Sequence, residues 1–172
     1  MKPTNSTVKA KFYGIGGQGI KFLATTLGNV LHHIGYDFIT INSDYDTIVR
    51  GGKIEACTTA SSKSINSPIV EKADFCVILS DPGSPIPSAT YIIDSSLNNI
   101  VTKDDLPNSS KTFYEPFLHN ENALPPNMLV LGFILNKMGH KIDEEHLVEL
   151  LPEKNREDNI QAILHHSTPK GD

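Results

Sequence analysis

Apolar and polar positions change period several times along the chain. From Val8 to Gly14 (VKAKFYG), Val8, Ala10 and Phe12 recur at every second residue, which predicts a strand with one covered face. After Gly19 the period lengthens. Ile20, Leu23, Leu27, Val30, Leu31 and Ile34 recur at spacings of three and four, the stripe of an amphipathic helix, and Gly35 is placed as its left-handed cap. A period of two returns in DFITIN (Asp37 to Asn42) and, less strictly, in KIEACTTAS (Lys53 to Ser61). ADFCVILS (Ala73 to Ser80) is a continuous apolar run, the pattern of a strand buried on both faces. ATYIID (Ala89 to Asp94) reads as a further strand and KTFYEPF as a shorter one. From Pro126 the chain turns helical. NMLVLGFILNKMG is a nearly all-apolar helix, DEEHLVELL opens with acidic residues suited to a helix N-terminus, and REDNIQAILHH is a third. Strand, helix and strand in succession predict an α/β fold whose parallel or mixed sheet is covered on both faces.

Composition narrows this picture. A chain of 172 residues with 38% hydrophobic content can bury one good core, so a single domain over residues 1–172 is expected. The net charge of −5 comes from interspersed acids and bases, with no basic stripe to follow a nucleic-acid backbone. No window approaches the roughly 20 apolar residues of a membrane span, and the polar start MKPTNSTVK lacks the apolar core of a secretion signal. A soluble, cytoplasmic protein with no nucleic-acid or membrane partner is expected. Cys57 and Cys76 stand singly in apolar runs and read as buried small hydrophobes. His32 and His33 suit the carboxyl-terminal dipole of the first helix, and His165 and His166 a fraying chain end. No carboxylate is spaced to complete a metal site with either pair, and no Ser/His/Asp set can be assembled, so neither metal ligands nor catalytic residues are assigned. The proline-rich loop DPGSPIPSA is too short to separate domains. Asp94 and Ser95 end a strand and suit a cap for the following turn, and Asn127 is placed as the N-cap of its helix.

The candidate chemistry lies in two glycine-rich stretches. Gly14, Gly16 and Gly19 fit G-x-G-x-x-G between a strand and a helix, where small residues let backbone N–H groups and the helix dipole approach an anion. A dinucleotide site would also need an acid at the end of the second strand, and Asp44, the nearest, meets that template loosely. The turn therefore reads as a dinucleotide cradle, as the seat of some other phosphorylated group, or as a tight turn alone. Arg50-Gly51-Gly52 sets a planar cation beside exposed backbone donors, which suits a phosphate or carboxylate; judged alone, a surface turn with a solvated arginine is the simpler reading. In a doubly wound sheet the loops after parallel strands open on one edge, so this stretch and the GIGGQG turn are expected to converge.

Taken in order, GIGGQGIKFLATTLGNVL, YDTIVRGGKIEACTTASSKSINSPIVEKADFCVIL, PNMLVLGFIL and EDNIQAIL resemble the gamma subunit, or gamma-type domain, of the 2-oxoacid:ferredoxin oxidoreductases, and most of all the 2-oxoglutarate branch. The resemblance runs from about residue 8 to residue 164. It implies a three-layer Rossmann-like α/β/α domain with a mostly parallel mixed sheet. It also implies a subunit of a complex that oxidatively decarboxylates a 2-oxoacid to an acyl-coenzyme A, inactive alone. Thiamine diphosphate, magnesium and the iron–sulfur clusters would sit on partner subunits of alpha and beta type, with a ferredoxin-like delta subunit as a further partner. By the same resemblance Gly14, Gly16, Gly17, Gln18, Gly19, Arg50, Gly51 and Gly52 form the edge facing the active site, with Asn127 near it. Gln18 would donate through its amide, and Arg50 would meet either a coenzyme A phosphate or a partner carboxylate. One departure stands out: the family usually carries tyrosine-glycine-proline-glutamate before its arginine-glycine-glycine, and here the segment reads Tyr45-Asp46-Thr47-Ile48-Val49. A stand-alone Rossmann-like nucleotide binder is the alternative.

Overall fold

The first strand, β1 (Thr7–Ile15), has a neighbour of each kind: β3 (Lys53–Ser61) runs antiparallel to it and β4 (Ala73–Ile78) parallel. In the computed structural model, which describes residues 6–45, 52–107 and 111–166, these belong to a six-stranded sheet of order β2-β3-β1-β4-β5-β6. The remaining strands are β2 (Phe38–Tyr45), β5 (Ser88–Asp94) and β6 (Lys111–Glu115). Three of the five pairings are parallel, so the sheet is mixed and mostly parallel as expected. Because β2 and β1 are both antiparallel to the strand between them, they point the same way, and their carboxyl ends share one edge.

Helix α1 (Ile20–His33) returns along the sheet with Leu23, Ala24, Leu27, Val30 and Leu31 fully buried. Its fit to the strands is close. Thr58 Oγ1 donates to the Ala24 carbonyl at 2.8 Å, and a Cβ at Gly28 would lie 2.9 Å from Ile41 Cδ1. The helix ends at Gly35, whose φ of 109° is the left-handed value glycine adopts without strain, and His32 Nδ1 lies 3.0 Å from the Tyr36 carbonyl. Alternation sends Tyr13, Cys76, Ile78, Tyr91 and Ile93 to the other face, where they pack with Leu97, Val101 and Leu106 from the turns after β5. Both cysteines are free and buried, and burial pushes their thiols up, which makes them inert packing groups as expected. Asp94 caps the turn that follows β5, accepting from the Ser96 N–H at 3.0 Å. The proline-rich connection is held by two tyrosines: Tyr13 Oη accepts from the Ile86 N–H at 3.2 Å, and Tyr91 Oη donates to the Ile86 carbonyl at 2.7 Å.

The chain divides into two compact units, residues 1–116 and 117–172. The second contains α2 (Pro126–Lys137), α3 (Glu144–Leu150) and α4 (Arg156–His165). Every residue of α2 from Asn127 to Leu135 is buried, the all-round burial that its unbroken apolar sequence predicts. It meets α4 at Gly132, where a Cβ would fall 2.2 Å from the Ile163 carbonyl oxygen. Asn127 is not the N-cap. Pro125 holds that position and Pro126 the first helical turn, because proline's fixed φ and missing N–H suit a helix start. Asn127 lies inside the first turn, its Oδ1 accepting from the Met128 N–H at 3.1 Å. The end of α4 is better held than expected: the His166 ring packs edge-on against Phe117 and Phe133, with centroids 6.1 and 5.4 Å away.

Candidate functional site

β1 delivers the glycine turn to the carboxyl edge of the sheet, and α1 begins at its far side. The chain must reverse between two packed elements within four residues, and glycine satisfies its backbone without strain. Gly17 has φ 94° and Gly19, the N-cap of α1, φ 70°. Gly14 is needed for a different reason: a Cβ there would sit 2.5 Å from the Ile20 side chain and 2.7 Å from Gln18 Oε1. At Gly17 a Cβ would meet nothing within 4 Å, so the backbone there is open to an approaching group.

Gln18 organises the turn. Its Oε1 accepts from the Ile15 N–H at 2.9 Å and its Nε2 donates to the Leu79 carbonyl at 3.0 Å, which ties the end of β1 to the end of β4. Its backbone N–H donates to the Ile15 carbonyl at 3.2 Å. The side chain expected to offer its amide to a ligand thus uses its oxygen and one of its two N–H donors inside the chain. The Gly16 N–H, central to any phosphate cradle, donates to the Gly52 carbonyl at 3.1 Å. That bond brings the second glycine stretch to the first, as the shared edge predicts. Arg50 and Gly51 lie outside the described residues.

The acid of the dinucleotide template falls in the wrong place. Asp44 pairs across the sheet with Glu55, and Glu55 with Tyr13, so β3 fills the position beside β1 that the second strand takes in a dinucleotide-binding fold. Asp44 is two strand spacings, about 10 Å, from β1. Glu55 itself is bound to Lys11, Nζ to Oε2 at 2.6 Å. Asn127 belongs to the second unit and is described there.

Two features of the edge were not singled out from sequence. Lys21 is exposed in the first turn of α1, which carries no acidic residue, so nothing on the helix offsets its positive end. The signal for it is a cation in a helical turn that usually favours an acid. Ser80, one residue past the Leu79 carbonyl that holds Gln18, has a buried hydroxyl oxygen with no hydrogen-bond partner among the described residues. A serine ending an apolar run is common, and only burial in the fold distinguishes this one. Chemically, the edge offers open backbone at Gly17, a helix start and an exposed lysine, groups whose partial and full positive charge favour an anion. No nucleophile paired with a base is present among the described residues of the turn. No group of three or more His, Cys, Asp or Glu able to hold a metal occurs among the described residues, and no helix among them is long and apolar enough to cross a membrane.

Comparison with known proteins gives a consistent result. A family model described as pyruvate ferredoxin/flavodoxin oxidoreductase matches residues 9–165. No curated protein matches the sequence. Among solved structures, the pyruvate oxidoreductase subunit PORC from Thermotoga maritima shares 15% identity and a TM-score of 0.68 over 94% of this chain and 96% of its own. The gamma subunit of a keto/oxoacid ferredoxin oxidoreductase from Geobacter sulfurreducens shares 17% identity and a TM-score of 0.68 over 92% and 95%. A 2-oxoglutarate:ferredoxin oxidoreductase from Magnetococcus marinus, solved with 2-oxoglutarate, coenzyme A and succinyl-CoA, shares 15% identity and a TM-score of 0.70, covering 98% of this chain and 32% of that one. The TM-scores establish a shared fold.

Proposed function

Because the chain belongs to the pyruvate ferredoxin/flavodoxin oxidoreductase family, we propose that it is the gamma-type subunit of a cytoplasmic complex that oxidatively decarboxylates a 2-oxoacid to an acyl-coenzyme A. Its part is assembly and contact with coenzyme A. Thiamine diphosphate, magnesium and the iron–sulfur clusters belong, in this reading, to alpha- and beta-type partners and a ferredoxin-like delta subunit, and no step is assigned to residues of this chain. The supporting observation is the anion-ready edge: Gly17 open and α1 beginning without an acid. A coenzyme A phosphate there would meet the backbone at Gly17 and the Lys21 ammonium, within the field of the α1 N-terminus. Gln18 then acts as a positioning residue, holding the turn through Ile15 and Leu79. Coenzyme A supplies the thiol that accepts the acyl group; this chain orients its phosphates.

Reconstitution tests the reading. The purified chain alone is expected to show no oxidoreductase activity, and to restore coenzyme A-dependent 2-oxoacid oxidation when mixed with alpha- and beta-type partners. Lys21→Ala in the reconstituted complex is expected to raise the KM for coenzyme A about tenfold with little change in the KM for the 2-oxoacid, the loss of one phosphate contact. Tight binding of a nicotinamide or adenine dinucleotide by the isolated chain, with no gain of activity on mixing, would overturn the proposal in favour of a stand-alone nucleotide binder.

A further inference from the structure

The second unit carries a groove that the functional reading leaves unused. It lies between α3 and α4 and encloses about 520 Å³. Val148, Ile160 and Leu164 supply apolar lining, and Glu144, Glu153 and Glu157 carboxylates. Val148 is 41% exposed, although it lies in a helix whose Leu147 is fully buried one position earlier. Helix dipoles explain part of the charge, since Glu144 and Glu157 stand in the first turns of α3 and α4. They explain neither Glu153, which lies in the connection, nor the exposed valine. Arg156 also borders the groove but is tied to the end of α3, its Nε donating to the Leu151 carbonyl at 3.1 Å. The surrounding segment, 141–166, carries seven acidic residues against three basic ones, so most of the chain's net charge of −5 is concentrated around this surface.

We propose that the groove between α3 and α4 docks a lysine- and arginine-rich amphipathic helix of a protein partner, its apolar stripe on Val148, Ile160 and Leu164 and its cations against Glu144, Glu153 and Glu157. The observations fix the chemistry of that partner. An apolar channel between two helices takes residues spaced at i, i+3, i+4 and i+7 of a third, and an acidic border discriminates in favour of cations and against acidic helices. The inference rests on the second unit alone and stands whether or not the chain binds coenzyme A.

The test uses the full chain and three labelled synthetic peptides of about 16 residues, long enough for four helical turns. The first has leucines at i, i+3, i+4 and i+7 with lysine and arginine elsewhere; the second replaces the leucines by serine; the third replaces the cations by glutamate. In fluorescence anisotropy the first is expected to bind at least tenfold more tightly than either of the others, and to shift the backbone amide resonances of α3 and α4. Glu153→Lys with Glu157→Lys is expected to weaken the first peptide at least tenfold and to admit the third. Val148→Asp, at an exposed position and with its fold checked by circular dichroism, is expected to weaken the first peptide to a similar degree. Equal binding of the first and second peptides would show a diffuse charge effect and overturn the proposal. So would amide shifts outside α3 and α4, absence of binding, or indifference to Val148→Asp. Concentration-dependent self-association that Val148→Asp abolishes would assign the groove to a second copy of the chain instead.

Discussion

Two glycine positions in this protein do opposite jobs. At the carboxyl edge of the sheet, Gly17 is there for its backbone: φ is 94° and the space a side chain would take is empty. In the second unit, Gly132 sits in an ordinary helix, and the space a side chain would take is already filled by the Ile163 carbonyl of α4. The first is a surface kept open; the second is a contact closed as far as atoms allow. The difference teaches that a glycine motif carries no chemistry until its surroundings are known. Gly14 belongs to the G-x-G-x-x-G pattern, yet it resembles Gly132 more than Gly17, because its missing side chain makes room for Ile20 and Gln18.

Substitutions put this contrast at risk in order of expected effect. Gly132→Ala should be the most damaging, since the new methyl meets backbone and α2 must move away from α4. Overpacking of this kind costs about 3 kcal/mol, against a gain of roughly 1 kcal/mol in helix propensity. Urea denaturation should show a net loss of about 2 kcal/mol, and a neutral result would mean that the two helices separate freely. Gln18→Ala should follow, at about 1–2 kcal/mol, because it deletes the two side-chain hydrogen bonds that join β1 to β4. Hydrogen exchange at Ile15 should quicken in that variant, and an unchanged rate would remove Gln18 from its positioning role. Gly17→Ala should cost only about 1 kcal/mol of stability, the strain of a side chain at positive φ with nothing to strike. In the reconstituted complex the same variant should impair coenzyme A use more than stability, since its methyl projects into the open space.

An effect of similar size concerns the loop held by two tyrosines. Burial pushes the Tyr91 hydroxyl up to about 12, and Tyr13 is raised for the same reason. A folded-state value above the unfolded one means that stability is fully present below about pH 10 and declines as pH rises toward 12, because the unfolded chain releases its proton first. Tyr91→Phe should cost about 1 kcal/mol at pH 8, for the lost bond to the Ile86 carbonyl, and should flatten the decline of thermal stability between pH 10 and 12. A decline as steep as that of the parent would place its origin elsewhere.

The elements themselves were written plainly. Alternation at Val8, Ala10 and Phe12, the three-and-four spacing from Ile20 to Ile34, and the apolar run into Leu135 each produced the element expected. Local burial patterns need no knowledge of what lies opposite. The start of α2 was harder, because a proline pair outcompeted Asn127 for the helix start. His166 was read as part of a fraying end because its partners Phe117 and Phe133 are distant in sequence. At the site, the positions of Gly14, Gly16 and Gly19 between strand and helix were legible, and so was the convergence with Gly52. The order of motifs was enough to indicate a family, since each fixes a local backbone shape.

What the sequence could not contain was which groups remain available once the chain has folded. The Gly16 N–H is taken by Gly52, the Gln18 amide oxygen and one of its N–H groups by Ile15 and Leu79, and Asp44 is displaced by the insertion of β3 beside β1. Strand order, and with it the neighbours of every edge group, comes from pairings between segments far apart in the chain, which no local pattern encodes. Local periodicity therefore determined the elements and the glycine turn, and the tertiary structure decided which of its donors stay free, because a hydrogen bond made within the fold is withdrawn from a ligand.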